Sequence, residues 1–181
     1  AFRVPVTVIC QMLGAPLEDV PHISEWAANF GRRADEGEEL TSEMERLGDS
    51  SATSFVEYVK SLLVERRAVP KDDLLTRLIE VQRDAPDLTD DDIAATAILL
   101  FQAGHETTAN MISKGVLGLL RHPGEYARLS AHPELAAQAT EELLRYDTSV
   151  QLTTKFATQE IPFHDRAIGV GDPVSFIWGA I

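Results

Sequence analysis

Cysteine is almost absent from this chain of 181 residues; Cys10 is the only one. An internal disulfide framework is therefore excluded, and the composition fits a reducing cytoplasm. Cys10 lies in an apolar helical pattern with no basic neighbour to lower its pKa, so it reads as a small buried hydrophobe rather than a reactive thiol. No hydrophobic run is long and pure enough for a membrane span, and there is no signal peptide or lipidation motif. Basic residues are few, 16 against 29 acidic, for a net charge of −13. That balance argues against nucleic acid and anionic membranes as partners. Phosphate-binding glycine loops and nucleophile elbows are missing. The five histidines (His22, His105, His122, His132 and His164) are scattered. His105-Glu106 fails as a zinc-protease motif because position 109 is Ala. Repeats and low-complexity segments are absent as well.

What is present is an ordinary globular composition, 44% hydrophobic and 25% charged, with length for one core and one domain. The chain opens without methionine directly into an apolar pattern. It closes inside a strand-like run, Val174 to Trp178. Domain ends are usually polar and exposed, so the expectation is a segment of something longer.

The longest pattern runs from Thr89 to about Gly124. Thr89 is a helix N-cap, Asp90 to Asp92 suit the positive end of the dipole, and Leu88 can staple onto Ile93. Arg121 and His122 suit the negative end, and Pro123-Gly124 stops the helix. At the α-helical rise this is a rod of about 50 Å. Apolar residues on nearly every face from Ile93 to Phe101 predict burial all round. Its middle, Gln102 to Thr108, is polar and rich in poor helix formers. Threonine hydroxyls there can bond back to preceding carbonyls and bend the helix. Either this is a weak, kinked polar site fit for a ligand, or it is a polar face meeting solvent or another helix.

Around the rod, the spacing predicts helices over Val4 to Leu13 and Pro21 to Arg33, the latter with Trp26 and Phe30 on one face. An acidic loop follows from Asp35 to Leu40. A longer helix covers Thr41 to Arg67, with a break expected near Gly48-Asp49-Ser50. A short one after Asp72-Asp73 turns Leu74, Leu75, Leu78 and Ile79 inward. Beyond Pro123, helices are expected over Glu125 to Ser130 and Glu134 to Tyr146. From position 150 the character changes to short strands: Leu152 to Ala157, Ile161 to Phe163, Ala167-Ile168 and Val174 to Trp178. The fold class is thus mainly α, with residues 1–149 helical and a small sheet in 150–181, as one partial domain. Glu142 and Arg145 share a helix face and form either a surface pair or, if buried, a bidentate brace.

Two motifs carry a resemblance. Ala103-Gly104-His105-Glu106-Thr107-Thr108 resembles the long-helix signature of the cytochrome P-450 haem-thiolate monooxygenases, and Glu142-Leu143-Leu144-Arg145 their Glu-x-x-Arg helix. Arg121-His122-Pro123 and Val150-Gln151-Leu152-Thr153 are similar to the soluble bacterial class, so the likeness covers essentially the whole chain. The resemblance implies haem as cofactor, with Ala103 and Gly104 letting its face approach the helix and Thr107 and Thr108 beside it. Thr107, with Glu106 behind it, would deliver protons to dioxygen at the iron. Leu99, Leu100, Gln102, Val150 and Leu152 would line a pocket for a small hydrophobic substrate. Glu142 and Arg145 would be structural. A ferredoxin-type partner would supply electrons.

Departures from the family pattern are plain. The haem-ligating cysteine loop is not in this chain, nor are the N-terminal helices that complete the pocket. No metal ligand is therefore assigned, and Cys10 is not a substitute. Lys155 stands where relatives often carry an arginine towards a haem propionate; it keeps the charge without the fork. Ser149 replaces a frequent proline. The alternative reading is a haem-free relative acting as an accessory protein, for example to a glycosyltransferase. Either way, a partly covered rod implies exposed apolar surface and self-association.

Overall fold

The computed structural model describes residues 2–34 and 40–178; most of the expected acidic loop, residues 35–39, lies outside them. The first helix, α1 (Arg3–Leu13), ends because Gly14 adopts a left-handed conformation, φ 89°, and its N–H donates to Cys10 O at 2.9 Å. Only glycine takes that φ without a side-chain penalty. Helix α2 (Val20–Ala34) follows, then α3 (Ser42–Ala68), whose cap Thr41 accepts from the Met44 N–H at 3.2 Å.

No break interrupts α3 at Gly48. The residue is there for proximity: a Cβ on it would fall 2.6 Å from Arg33 Cδ, so α2 and α3 close over a position only glycine leaves open. Helix α4 (Leu74–Asp84) is capped by Asp73, whose carboxylate accepts from the Thr76 N–H at 2.8 Å. The long helix α5 spans Asp90–Arg121. Thr89 and Asp92 start it reciprocally: the Thr89 hydroxyl accepts from the Asp92 N–H at 3.2 Å, and the Asp92 carboxylate from the Thr89 N–H at 2.9 Å.

Two compact units divide the chain, residues 1–109 and 110–181. In the first, α1 to α4 and the opening two-thirds of α5 surround one core. Val6, Ile9 and Leu13 meet Ile23 and Ala27, Phe55, Val59 and Leu63, Leu75 and Ile79, and Ile93, Ala97 and Phe101. Cys10 sits among them, fully buried, as expected of a small hydrophobe.

The expectation that α5 is buried all round is not met. Within the first unit its buried positions 93, 94, 97, 98, 101, 105 and 109 make one stripe, while Leu99 is 66% and Leu100 37% exposed. Apolar composition on every face does not itself supply packing partners; among the described residues of the first unit, one side of this stretch is covered. The helix itself is continuous. Residues 90–121 are helical throughout, and Thr107 bonds back to a carbonyl one turn earlier, as expected of threonines there.

In the second unit, the end of α5 packs with α7 (Ala136–Tyr146), reached through α6 (Pro123–Ala131) and a 3-10 turn at Pro133–Leu135. Gly115 permits the approach, since a Cβ there would lie 3.2 Å from Leu143 Cδ1. Four strands follow: β1 (Leu152–Phe156), β2 (Ile161–Phe163), β3 (Arg166–Ile168) and β4 (Pro173–Ile177). They form two antiparallel pairs, β1 with β4 (Leu152 opposite Ile177) and β2 with β3 (Ile161 opposite Ile168). His164, at φ 54°, makes the β2–β3 turn. Among the described residues, no helix is long and apolar enough to cross a membrane.

Candidate functional site

On α5, the residues singled out by sequence separate into an open face and a packed one. Leu99, Leu100, Ala103, Glu106, Thr107 and Thr108 are exposed. Leu99, Ala103 and Thr107 recur every four residues and so form one strip. Thr107 Oγ1 donates to the Ala103 carbonyl at 2.7 Å. Its proton is thereby engaged inside the helix, and its lone pairs remain as acceptors.

Gly104 and Gln102 lean away from that strip. A Cβ at Gly104 would meet Ile9 Cδ1 at 3.4 Å, so this glycine serves packing on α1. Gln102 is half-buried towards α2: a Cβ at Gly31 would fall 2.8 Å from its Nε2, so the amide uses the space that glycine leaves open. Gln102 Oε1 is buried without a hydrogen-bond partner among the described residues. His105 is buried, its Nδ1 2.8 Å from the Phe101 carbonyl and its ring against Phe2 and Phe101.

The second unit holds the remaining candidates. Glu142 and Arg145 form a two-pronged pair, Nε to Oε2 2.8 Å and Nη2 to Oε1 2.6 Å, on an exposed face of α7. The structure thus combines both expectations, bidentate geometry and surface placement. The Arg145 hydrogen bond holds the Glu142 carboxyl below its usual range. Val150, just before β1, and Leu152 and Lys155 on it are exposed. An apolar cleft of about 360 Å³ in this unit lies elsewhere, between α5, α6 and α7, with His122, Leu135, Leu143 and Tyr146 on its walls.

Sequence reasoning passed over Lys114. Its ammonium donates to Asp147 Oδ1 at 2.8 Å and to the Thr148 carbonyl at 2.9 Å, tying α5 to the segment that leads into β1. The available signal was its isolation: between Asp92 and Arg121, Glu106 and Lys114 are the only permanently charged types.

The open strip fits one face of a flat apolar group, with small Ala103 at its centre and leucines before it. Cys10 does not fit as a thiolate ligand. Burial, with the charge of Asp19 added, pushes its thiol up to about 11. Among the described residues no cluster of histidine, cysteine and carboxylate side chains is placed to hold a metal ion.

Residues 36–181 match the sequence profile of the family Cytochrome P450. Cytochrome P450 CYP107DY1 of Priestia megaterium is 36% identical over 176 residues, covering 97% of this chain and 42% of that protein. The biotin biosynthesis cytochrome P450 of Bacillus subtilis is 36% identical over 182 residues, covering 99% of this chain and 45% of that protein. Of solved structures, CalO2 superposes with a TM-score of 0.92 at 32% identity, over 99% of this chain and 45% of its own. P450BioI, in complex with acyl carrier protein ligated to hexadec-9Z-enoic acid, gives 0.89 at 35% identity, over 99% and 46%. The chain therefore spans less than half the length of the relatives it matches. With its profile, its relatives and its fold in agreement, it belongs to the cytochrome P450 family.

Proposed function

We propose that this chain is the oxygen-activating and substrate-facing segment of a haem-dependent monooxygenase, one that places a single oxygen atom from dioxygen into a small hydrophobic molecule. The observation that carries the reading is the open strip of α5, where Leu99, Ala103 and Thr107 stand exposed in register while positions 97, 98, 101, 105 and 109 of the same stretch are buried.

Haem, when bound, supplies the redox chemistry that activates oxygen. Ala103, Thr107 and Thr108 are the residues of α5 that would lie against it, and Lys155 offers a cation for a carboxylate substituent. Leu99 and Leu100 in the first unit, and Val150 and Leu152 in the second, are the exposed apolar residues suited to exclude water and meet an apolar substrate. Thr107, already donating to Ala103 O, accepts a hydrogen bond from water at its free lone pairs. When its hydroxyl rotates off that carbonyl, it passes a proton outward and takes one back from the water. The Glu106 carboxylate, one position along, exchanges protons with solvent. Glu142 and Arg145 hold the surface of α7 and take no part in the chemistry. Electrons come from a ferredoxin-type partner. A substrate bearing a long apolar chain suits these residues, and P450BioI forms a complex with acyl carrier protein ligated to such a chain, hexadec-9Z-enoic acid.

The test is made on the full-length gene product. A reduced, carbon-monoxide-treated difference spectrum with a haem-thiolate band, and oxygen-dependent product from a fatty acid, are expected. A protein that purifies free of haem and remains bound to a glycosyltransferase would instead establish the accessory reading.

A further inference from the structure

The α7–β1 connection carries Val150 and leads straight into Leu152, yet no regular secondary structure spans residues 147–151. Its position depends on a few hydrogen bonds, and these form a chain. Lys114 Nζ reaches Asp147 Oδ1 at 2.8 Å and Thr148 O at 2.9 Å. The same Thr148 carbonyl accepts from Gln151 Nε2 at 2.5 Å. Gln151 O in turn accepts from the Trp178 N–H at 2.9 Å, and Trp178 Nε1 donates to Thr153 Oγ1 at 2.9 Å. One end of the connection is thus held to α5 and the other to the end of β4.

Lysine is the residue this place requires. Asp147 caps the C-terminal end of α7, the negative pole of that helix, where a carboxylate is unfavourable. An ammonium between that carboxylate and the next carbonyl removes the conflict with two charge-assisted hydrogen bonds. Both side chains are only partly exposed, 31% for Lys114 and 43% for Asp147, so the pair is less screened than a surface one. The glycines of α5 bring its target into reach. Leu143 lies 3.2 Å from where a Cβ of Gly115 would stand, and Tyr146 lies 3.8 Å from one of Gly118.

We propose that Lys114 is a positioning residue, fastening the 147–151 connection to α5 and so setting where Val150 and Leu152 meet the substrate. This rests on the reading of those two residues as substrate-facing. The lysine touches no substrate itself; its influence runs through the backbone it holds.

The experiment uses the full-length haem-bound protein and two variants, K114M and K114R, with V150A as the control for the site. In K114M, amide exchange at residues 148–152 speeds up about tenfold as the connection opens more often. The ratio of dissociation constants for hexadecenoic and decanoic acids changes several-fold. K114R keeps the charge and restores both readouts. Unaltered exchange at 148–152 in K114M overturns the latch. So does a loosened connection with an unchanged ratio, if V150A does change it. A V150A protein that binds both acids like wild type, or a wild type that binds neither, refutes the substrate reading; exchange then still decides whether Lys114 holds the connection.

Discussion

Arg66 and Asp73, on α3 and at the cap of α4, form an ion pair with Nε to Oδ2 at 2.5 Å and side chains only 2% and 4% exposed. Arg66 also donates to the Gly14 carbonyl at the end of α1, so three helix ends converge on one guanidinium. Removing the carboxylate leaves a buried cation with the Gly14 carbonyl and the Glu65 carboxylate at 3.5 Å as its remaining acceptors. Asp73→Ala is expected to cost about 3–5 kcal/mol, read from urea unfolding of the full-length protein. Gly14→Ala attacks the same junction: its Cβ would fall 2.1 Å from Asp73 Oδ2 at a φ of 89°. It should cost more than about 1 kcal/mol. Wild-type midpoints for either variant would show that the junction is dispensable.

Acid should weaken this unit in a defined window. Burial alone would raise the Asp73 carboxyl, but hydrogen bonds from Arg66 and Thr76 outweigh it and bring it below its usual value. Asp90 is lowered to about 2, first by its hydrogen bond from Arg67 and then by Gln82. Depressed folded values mean the unfolded chain takes up protons first as pH falls. The stabilisation is therefore complete above about pH 4 and is lost on acidification through the folded values. Salt should erase part of the Asp90 contribution, since that pair is 37% and 41% exposed, and little of the Asp73 one. Unfolding midpoints against pH at low and high salt measure both.

Thr107 is exposed, so Thr107→Ala should leave stability within about 0.5 kcal/mol of wild type. Product formed per dioxygen consumed should fall by about tenfold or more in the full-length protein, with Thr107→Ser restoring it. Unchanged coupling in Thr107→Ala would remove the hydroxyl from the proposed chemistry.

Local punctuation explains why so much of the fold was legible. Thr41, Asp73 and Thr89 each cap the helix expected after them, and Gly14 ends α1 in the conformation glycine alone takes freely. The strands also fall within a residue or two of their β-branched runs. Pairings across the chain were hidden, because 29 acidic and 16 basic residues allow many partners and only packing selects among them. Nothing in the local sequence marks Arg66 as the buried partner of Asp73, and Lys114 finds its partner 33 residues away. Burial of α5 was over-read for a related reason: a helix apolar on all sides needs neighbours on all sides, and a single stretch of sequence does not say whether they are present.

Cys10 is fully buried, and its thiol is pushed up to about 11. A thiol reagent at pH 8 should therefore modify it only at the rate at which the first unit opens, and quickly in urea. In the full-length protein Cys10→Ala should leave the reduced carbon-monoxide spectrum unchanged. Loss of the haem-thiolate band in that variant would make Cys10 the ligand and overturn the assignment of its role.

Ile112, Val116 and Leu120 recur every four residues on α5 and are 37%, 52% and 64% exposed, with Leu117 beside them at 45%. Such a stripe favours association, whereas a net charge of −13 opposes it. Repulsion acts over about 10 Å at 0.1 M salt, while apolar burial is insensitive to such screening. The purified 181-residue chain should consequently self-associate at micromolar concentration, and more strongly as salt is added. Val116→Glu with Leu120→Glu should return it towards monomer, because each places a charge where the stripe would be buried. A monomer at every concentration and salt level in sizing chromatography would mean that charge repulsion and the chain's own packing suffice to keep α5 unpartnered.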